Sequence, residues 1–354
     1  MQQVRKGLPY PHNGLQALRG LCLETETGHY FPEIVSLQLF NQYICFVTFN
    51  FKLMKKFFLL IAATLTLSTA NAQLLYKITG KGLKSPSYIV GTHHLTDASF
   101  ADQINGLKEA MANTKQVYGE MNMDVTNNPD SMQLMLQATL LPEGQTLKTI
   151  LKPEQYEKLS SFCIQLMGMG LDNEMLFSQI GRLTPATLNT QFSLLLYIKN
   201  HQTAFNLQNG IDNYFQSEAK KNGKKVGGLE TLAFQTGVLL KKSSLERQIE
   251  LLMCLVDNAE LFQDLADRLT NAYLSQDMNA MYTINEEKLH NTCDSTPEEL
   301  DILLYSRNAD WAKKMPRIMA EAPTLFAVGS LHIPGEKGLV KLLKKAGYKV
   351  EAVK

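Results

Sequence analysis

Short apolar segments near the two ends of the chain predict the strands of one sheet. The segments are rich in Leu, Ile, Val, Phe and Tyr and are bounded by turn residues, which is typical of short β-strands. The predicted strands cover residues 74–78, 88–90, 116–123, 225–229, 324–328 and 348–352. Amphipathic spacing also predicts a helix over 101–112 and another over 337–345.

The middle of the chain, from about residue 131 to residue 305, has an almost wholly helical pattern. Thr296, followed by Pro297 and Glu299, has the spacing of a capping box, which predicts that a helix begins there. The methionines of this region, such as Met175, are interpreted as core residues. The predicted fold class is therefore α/β (α+β), with a central mixed sheet built from N- and C-terminal strands and a large helical insertion.

An apolar run between residues 57 and 67 has the flanks of a secretory signal. Lys55 and Lys56 precede it, and Ala70-Asn71-Ala72 follows it as a small-x-small cleavage pattern. The run is too short for a membrane-spanning helix. We therefore expect a signal peptide over 54–72 and a mature domain over 73–354. That domain would be periplasmic or secreted, in a bacterial cell envelope, with no stable transmembrane anchor after cleavage.

Residues 1–53 precede this signal and are interpreted as a non-native upstream extension, because signal peptides lie at the N-terminus and Met54 is a plausible start. If these residues are translated, the apolar run becomes an internal segment or an anchor.

The composition gives no sign of function by itself, so the function must come from a local site. The formal net charge is +1 and 45% of the residues are hydrophobic, so no bulk charge favours nucleic acid as a partner. The expected mature region keeps Cys163, Cys254 and Cys293 without C-x-x-C spacing, which excludes a cysteine zinc site of the usual pattern. A single bridge between Cys254 and Cys293 and three free thiols are the two alternatives that remain.

Two copies of a Gly-x-x-His motif follow predicted strands. Gly91-Thr92-His93-His94 follows the second strand, and Gly329-Ser330-Leu331-His332 follows the fifth. A glycine at a strand end lets the backbone turn tightly, and open α/β sheets gather their ligands at the carboxyl ends of their strands. The repeated motif therefore predicts that His94 and His332 meet at one edge of the sheet.

These motifs, with further short blocks, resemble the TraB/GumN family, which includes the Tiki proteases. The resemblance covers essentially the whole expected mature region, and the other blocks that carry it are Val117–Glu120, Gly228-Leu229-Glu230-Thr231, Gln235, Arg307-Asn308 and Phe326–Gly335. It implies a metal-dependent hydrolase, probable peptidase chemistry and a peptide or protein substrate. The implied ligands of a divalent ion (Mn, Co or Zn) are His94, His332 and Glu120.

The side chains suit that chemistry. Two neutral imidazoles and a carboxylate can hold a divalent ion and leave a position open for water. The candidate catalytic residues are Glu120, Glu230, His94 and His332, with Glu230 as the candidate base. Gly91, Gly329 and Arg307 are expected to support them.

Each of these residues also has a structural alternative. The histidines could hydrogen-bond across a turn, Glu120 could pair with a lysine, and Glu230 could favour a helix N-terminus. Arg307 could neutralise a glutamate or bind substrate. His93 is expected outside the ligand set, and His201 and His290 are expected to be exposed. The alternative function is a non-catalytic envelope protein that binds a metal, a haem-like ligand or a polysaccharide-export component.

Overall fold

A six-stranded sheet organises the chain, with strands from both ends side by side. The computed structural model describes residues 73–201 and 209–354. Both the expected signal peptide and the upstream extension lie outside these residues. The strands are β1 (Leu75–Thr79), β2 (Ser87–Thr92), β3 (Gln116–Met121), β4 (Lys225–Glu230), β5 (Thr324–Gly329) and β6 (Lys349–Ala352). All six predicted strands are therefore present, with ends that differ by one or two residues.

The sheet is mixed, as predicted. Its order is β4-β3-β5-β2-β1-β6. The strands β2, β5, β3 and β4 run parallel, whereas β1 is antiparallel to both β2 and β6. Strand β5, from the C-terminal part of the chain, thus lies between β2 and β3. Both of those strands come from the N-terminal part of the described chain. The first five residues of β5 are buried, because helices cover both faces of a parallel sheet.

Fourteen α-helices are found in the described part of the chain. They are α1 (Leu107–Asn113), α2 (Pro129–Thr139), α3 (Leu147–Ile150), α4 (Pro153–Met167), α5 (Glu174–Ile180), α6 (Pro185–Asn200), α7 (Ile211–Lys221), α8 (Leu232–Thr236), α9 (Leu245–Asp257), α10 (Ala259–Leu274), α11 (Met278–Asn285), α12 (Pro297–Leu300), α13 (Ser306–Glu321) and α14 (Leu339–Lys345). None of these helices is long and apolar enough to cross a bilayer.

Two hydrophobic cores hold these elements. One contains the sheet and the helices that pack on it, with Trp311, Phe215 and Phe326 among its buried side chains. The other lies within the helical insertion, around Phe162 and Phe192. The large helical insertion expected from the sequence therefore has a core of its own.

Local sequence signals explain several boundaries. Thr296 caps α12 with the predicted capping box, since its hydroxyl accepts from the Glu299 N–H and the Glu299 carboxylate accepts from the Thr296 N–H. The sequence also left open a bridge between Cys254 and Cys293, and the structure contains this disulfide. It ties α9 to the loop before α12.

Two expectations are wrong. The predicted helix over 101–112 is instead a 3₁₀ segment, Ala98–Gln103, and the separate helix α1. The extended backbone of Ile104 ends the first segment, and Gly106, with a φ of +72° that few residues other than glycine adopt, is the N-cap of α1. Met175 is not a core residue, because it lies in the exposed first turn of α5 and is 59% exposed.

Candidate functional site

The two motif glycines lie near the carboxyl ends of adjacent strands, one residue out of register. Strand β5 pairs with β2 in parallel, and Thr92 is the register partner of Gly329. Tyr273 donates a hydrogen bond to the Gly91 carbonyl, 2.9 Å, and the Ser330 hydroxyl donates one to the Thr92 carbonyl. The segments that follow β2 and β5 are therefore both fixed where they leave the sheet. Both motif histidines lie in these segments, at the carboxyl ends of the strands.

A buried arginine connects the candidate residues from three strands. Arg307, on the second position of α13, donates from Nη2 to Glu120, 2.7 Å, and to Glu230, 2.7 Å, and from Nε to Glu230, 3.1 Å. Nη1 donates to the Leu303 carbonyl, 3.0 Å, and lies 3.3 Å from His332 Nε2. We call Arg307, Glu120, Glu230 and His332 the arginine cluster. All the N–H groups of Arg307 have partners in it or on the backbone, so Arg307 neutralises both glutamates and has none left for a substrate.

The two glutamates differ in access. The Glu230 side chain is 2% exposed, and its oxygens accept from Arg307 and from Trp311 Nε1, 3.2 Å. The Glu120 side chain is 18% exposed. Glu120 Oε1 accepts from the Gly329 N–H, 2.8 Å, and Oε2 accepts from Gln235, 3.1 Å, as well as from Arg307. Glu120 is therefore the carboxylate that faces the accessible part of the site.

Charge keeps Glu120 ionised. Burial opposes its ionisation, but the charge of Arg307 and the hydrogen bond from the Gly329 N–H outweigh burial, and His332 adds to them only where its imidazole is protonated, so the pKa of Glu120 lies below its usual value. A side chain at position 329 would come within 3.2 Å of Glu120 Oε1. Glycine at that position therefore allows the carboxylate to approach the backbone.

His332 is held as a neutral imidazole. It is buried, and burial lowers its pKa to about 4. Its Nδ1 lies 2.7 Å from Asn308 Oδ1, and the Asn308 amide group donates to the Lys337 carbonyl, 3.0 Å. Because Asn308 Oδ1 can only accept, Nδ1 carries the proton and Nε2 carries the lone pair. That lone pair faces Arg307, with Glu120 Oε1 3.7 Å away.

His94 is held from the opposite side by a residue of α7. Its Nδ1 lies 2.7 Å from Asp212 Oδ2, and Asp212 Oδ1 accepts from the Thr92 hydroxyl, 2.6 Å. The hydrogen bond to Asp212 raises the pKa of His94 to about 9. The imidazole is 81% exposed, and Nε2 has no partner within the described ranges. The positive charge of the His94 imidazole lowers the pKa of His332, so the two histidines share one electrostatic environment.

Comparison with known proteins shows the family of the chain. The model of the TraB/PrgY/gumN family matches residues 74–352. The chain belongs to this family. Metalloprotease TIKI1 of Danio rerio is 24% identical over 308 residues, which cover 75% of this chain and 60% of the relative. Uncharacterized protein YbaP of Shigella flexneri is 27% identical over 270 residues, which cover 73% of this chain and 88% of the relative.

Metalloprotease TIKI1 of Homo sapiens is 23% identical over 306 residues, 75% of this chain and 59% of that protein. The chain thus spans about 60% of the length of the Tiki relatives it matches. No solved structure matches.

The Tiki relatives are named as metalloproteases, which implies a metal ion. The side chains of the candidate site can be compared with what such an ion needs. In both motif histidines Nδ1 is held by an acceptor, Asp212 or Asn308, which is the usual outer partner of a metal-bound imidazole. Donor type therefore fits a divalent ion. Among the described residues, however, no three His, Cys, Asp or Glu side chains form a group that could hold one. In this arrangement Arg307 Nη1 lies 3.3 Å from His332 Nε2, so the lone pair of that nitrogen faces the guanidinium group.

Three residues of the site were not predicted from the sequence. Asp212 lies in the first turn of α7, where an acidic residue is usually explained by the helix dipole. Asn308 and Gln235 stood in blocks of the family resemblance but had no role assigned. Their contacts with His332 and Glu120 could be found only after the chain was folded.

His93 and His201 also have defined partners. His93 Nε2 lies 3.0 Å from the Thr270 hydroxyl and its ring packs on Tyr273, so it lies outside the candidate ligand set, as expected. The expectation that His201 is exposed and without partners is wrong. Its ring stacks on Tyr197 and Nδ1 bonds to the Tyr197 carbonyl, 2.9 Å. The spacing of four residues within one helix carried no signal for this contact.

Proposed function

We propose that the chain is an exported metal-dependent hydrolase that cleaves peptide bonds. The observation that carries the proposal is the pair of Gly-x-x-His motifs on adjacent parallel strands, where each histidine has Nδ1 held by an acceptor. The named activity of the Tiki relatives supports peptide substrates. The site residues proposed from the sequence, His94, His332, Glu120 and Glu230, share this edge of the sheet.

His94, His332 and Glu120 would hold the divalent ion, which is Mn, Co or Zn. When bound, such an ion supplies an acidified water as the nucleophile. Asp212 and Asn308 fix the ring orientations of the two histidines. Arg307 keeps Glu120 ionised, and Glu230 holds Arg307 in place. We assign proton transfer to Glu120 in preference to Glu230, because the side chain of Glu120 is 18% exposed whereas that of Glu230 is 2% exposed.

Export is supported by the disulfide. Cys254 and Cys293 are bonded, and structural disulfides persist in oxidising compartments such as the periplasm or the extracellular space. The signal-like segment 54–72 agrees with that location.

The test compares the wild-type protein with the double variant His94→Ala, His332→Ala and with the control His290→Asn. His290 lies in an exposed loop with a φ of +57°, which asparagine tolerates. Bound metal is measured by elemental analysis, and cleavage of a peptide mixture is measured by mass spectrometry. We expect metal and cleavage in the wild type and the control, and neither in the double variant.

Equal metal content in the wild type and the double variant would refute the metal site. Metal that binds to the wild type without any peptide cleavage would favour the non-catalytic envelope protein instead.

A further inference from the structure

A cavity of about 700 Å³ opens beside His94 and Asp212. Four helices of the insertion, α6, α7, α9 and α10, contribute to its walls. Residues Asn189, Ser193 and Tyr197 of α6 line one side at a spacing of four residues, and α10 lines another with Phe262 and Ala266. The volume lies in the range of small-molecule sites, roughly 300–1,000 Å³. The cavity is therefore large enough for a bulky side chain and part of the backbone that carries it.

The walls combine apolar side chains with neutral polar ones, which are Asn189, Thr190, Ser193, Asn213 and Gln263. Leu194, Tyr197, Leu255 and Phe262 contribute to the walls, and the described lining residues include no lysine or arginine. Asp212 is the one carboxylate of the lining, and both its oxygens are bonded, to Thr92 and His94. A lysine side chain that entered would lose its hydration without meeting an unpaired carboxylate, whereas an apolar one would gain from leaving water.

The walls are also preformed. Leu255 is fully buried in the core of the helical insertion, and Phe262 packs against that core. Tyr197 is buried as well. Because these side chains are fixed by packing on the far side, the cavity does not depend on a ligand for its shape.

We propose that this cavity is the subsite that takes a large apolar side chain of the peptide substrate, next to the bond that is cleaved. The proposal rests on the proposed peptidase function. Its place follows from continuity, since His94 and Asp212 belong both to the candidate site and to the wall of the cavity. A substrate whose reacting carbonyl lies near the motif histidines would direct a neighbouring side chain between α6 and α10.

The test fills the cavity without removing any packing. Ser193→Trp places an indole in it from an exposed position of α6. Gln191→Trp is the matched control, because Gln191 is an exposed residue of the same helix and does not line the cavity. Both variants and the wild type are given a peptide library randomised at each position, and the cleavage sites are read by mass spectrometry.

We expect Leu, Phe or Met at one fixed position beside the cleaved bond, with a preference over Ser, Asp and Lys of roughly tenfold or more. Ser193→Trp should abolish that preference, and Gln191→Trp should keep it. Cleavage without an apolar preference, or equal preferences in the two variants, would overturn the subsite and leave the peptidase function standing.

A second measurement separates the two proposals. N-acetyl-phenylalaninamide and N-acetyl-lysinamide are added to each protein, and binding is detected by saturation-transfer NMR. The subsite predicts binding of the phenylalanine amide alone, lost in Ser193→Trp and kept in Gln191→Trp. If no peptide is cleaved but this pattern holds, the peptidase function fails and the apolar binding site stands. If the pattern is absent as well, the subsite is refuted.

Discussion

Replacing Arg307 by glutamine removes the one cation of the arginine cluster and leaves two carboxylates without it. Glu120 and Glu230 both lie 2.7 Å from Nη2, and the Arg307 side chain is itself buried. Removing one partner of a buried ion pair costs about 3–5 kcal/mol, because the other charge stays in a poorly solvated place. Glu120 is partly exposed, so water replaces some of what it loses. We therefore expect Arg307→Gln to lower the free energy of unfolding by about 4 kcal/mol at pH 7.

The assay is urea unfolding of the disulfide-bonded protein, followed by far-UV circular dichroism. The control is Arg317→Gln on the same helix, because Arg317 is 89% exposed and its only charged partner is Glu321 at 3.7 Å among the described residues. An exposed pair of this kind contributes at most about 1 kcal/mol. A second variant, Arg307→Gln with Glu230→Gln, should recover part of the loss, because it removes one of the two stranded charges.

The pH dependence gives a further check on the cause. In the wild type the pKa of Glu120 is lowered on folding, so its contribution to stability is present above the unfolded pKa and is lost as pH falls. Without Arg307, burial is opposed less and the pKa of Glu120 rises. The stability difference between Arg307→Gln and the wild type should therefore shrink as the pH falls from 7 towards 4.5. A loss no larger than that of Arg317→Gln, or a loss independent of pH, would refute the assigned role.

Three other predictions concern stability away from the site. Replacing Cys254 and Cys293 together by serine opens a loop with a sequence separation of 39 residues, and should cost about 2–4 kcal/mol in urea unfolding, with no further loss on adding reductant. The pKa of Glu299 is lowered by its hydrogen bond to Arg247, so Glu299→Gln should destabilise the protein at pH 7 and progressively less as pH falls below about 4.5, as followed by thermal unfolding. Gly228→Ala places a methyl group 2.4 Å from the Asn122 nitrogen, whereas a methyl group at Gly237 meets nothing within 4 Å. Gly228→Ala should therefore lower the melting temperature, and Gly237→Ala, in a helical conformation, should leave it unchanged or raise it.

The strands could be predicted because each is a short apolar run with a clear boundary. Even β4, isolated among helices, had this pattern. The order of the strands could not be predicted in the same way, because a buried parallel strand is apolar on both faces whatever its neighbours are. The repeated Gly-x-x-His motif predicted only that β2 and β5 end at the same side of the sheet, and the pairing of β5 with β3 was not predicted. The missed break at Gly106 shows the limit of periodicity, since apolar residues on both sides kept a helical spacing across the turn.

For the site, the sequence identified the residue types but not their pairing. It gave Arg307 three possible roles, and only the fold brings it between Glu120 and Glu230. Asp212 was missed because its partner His94 lies 118 residues away, beyond the reach of any local pattern. Long-range hydrogen bonds of this kind depend on how the helical insertion packs against the sheet, which hydrophobic spacing does not specify.

One turn of α13 joins the ends of β3, β4 and β5 at the proposed site. Arg307, Asn308 and Trp311 lie at positions i, i+1 and i+4, and their polar groups contact Glu230 on β4 and His332 after β5. Arg307 also reaches Glu120 on β3. This helix closes the insertion and leads directly into β5, so His332 and the residues that orient it are placed by one continuous segment. The His94–Asp212 pair is placed independently, by β2 and α7. The two halves of the proposed site therefore come from separate parts of the fold, and the pairing of β2 with β5 places the ends of these two strands side by side.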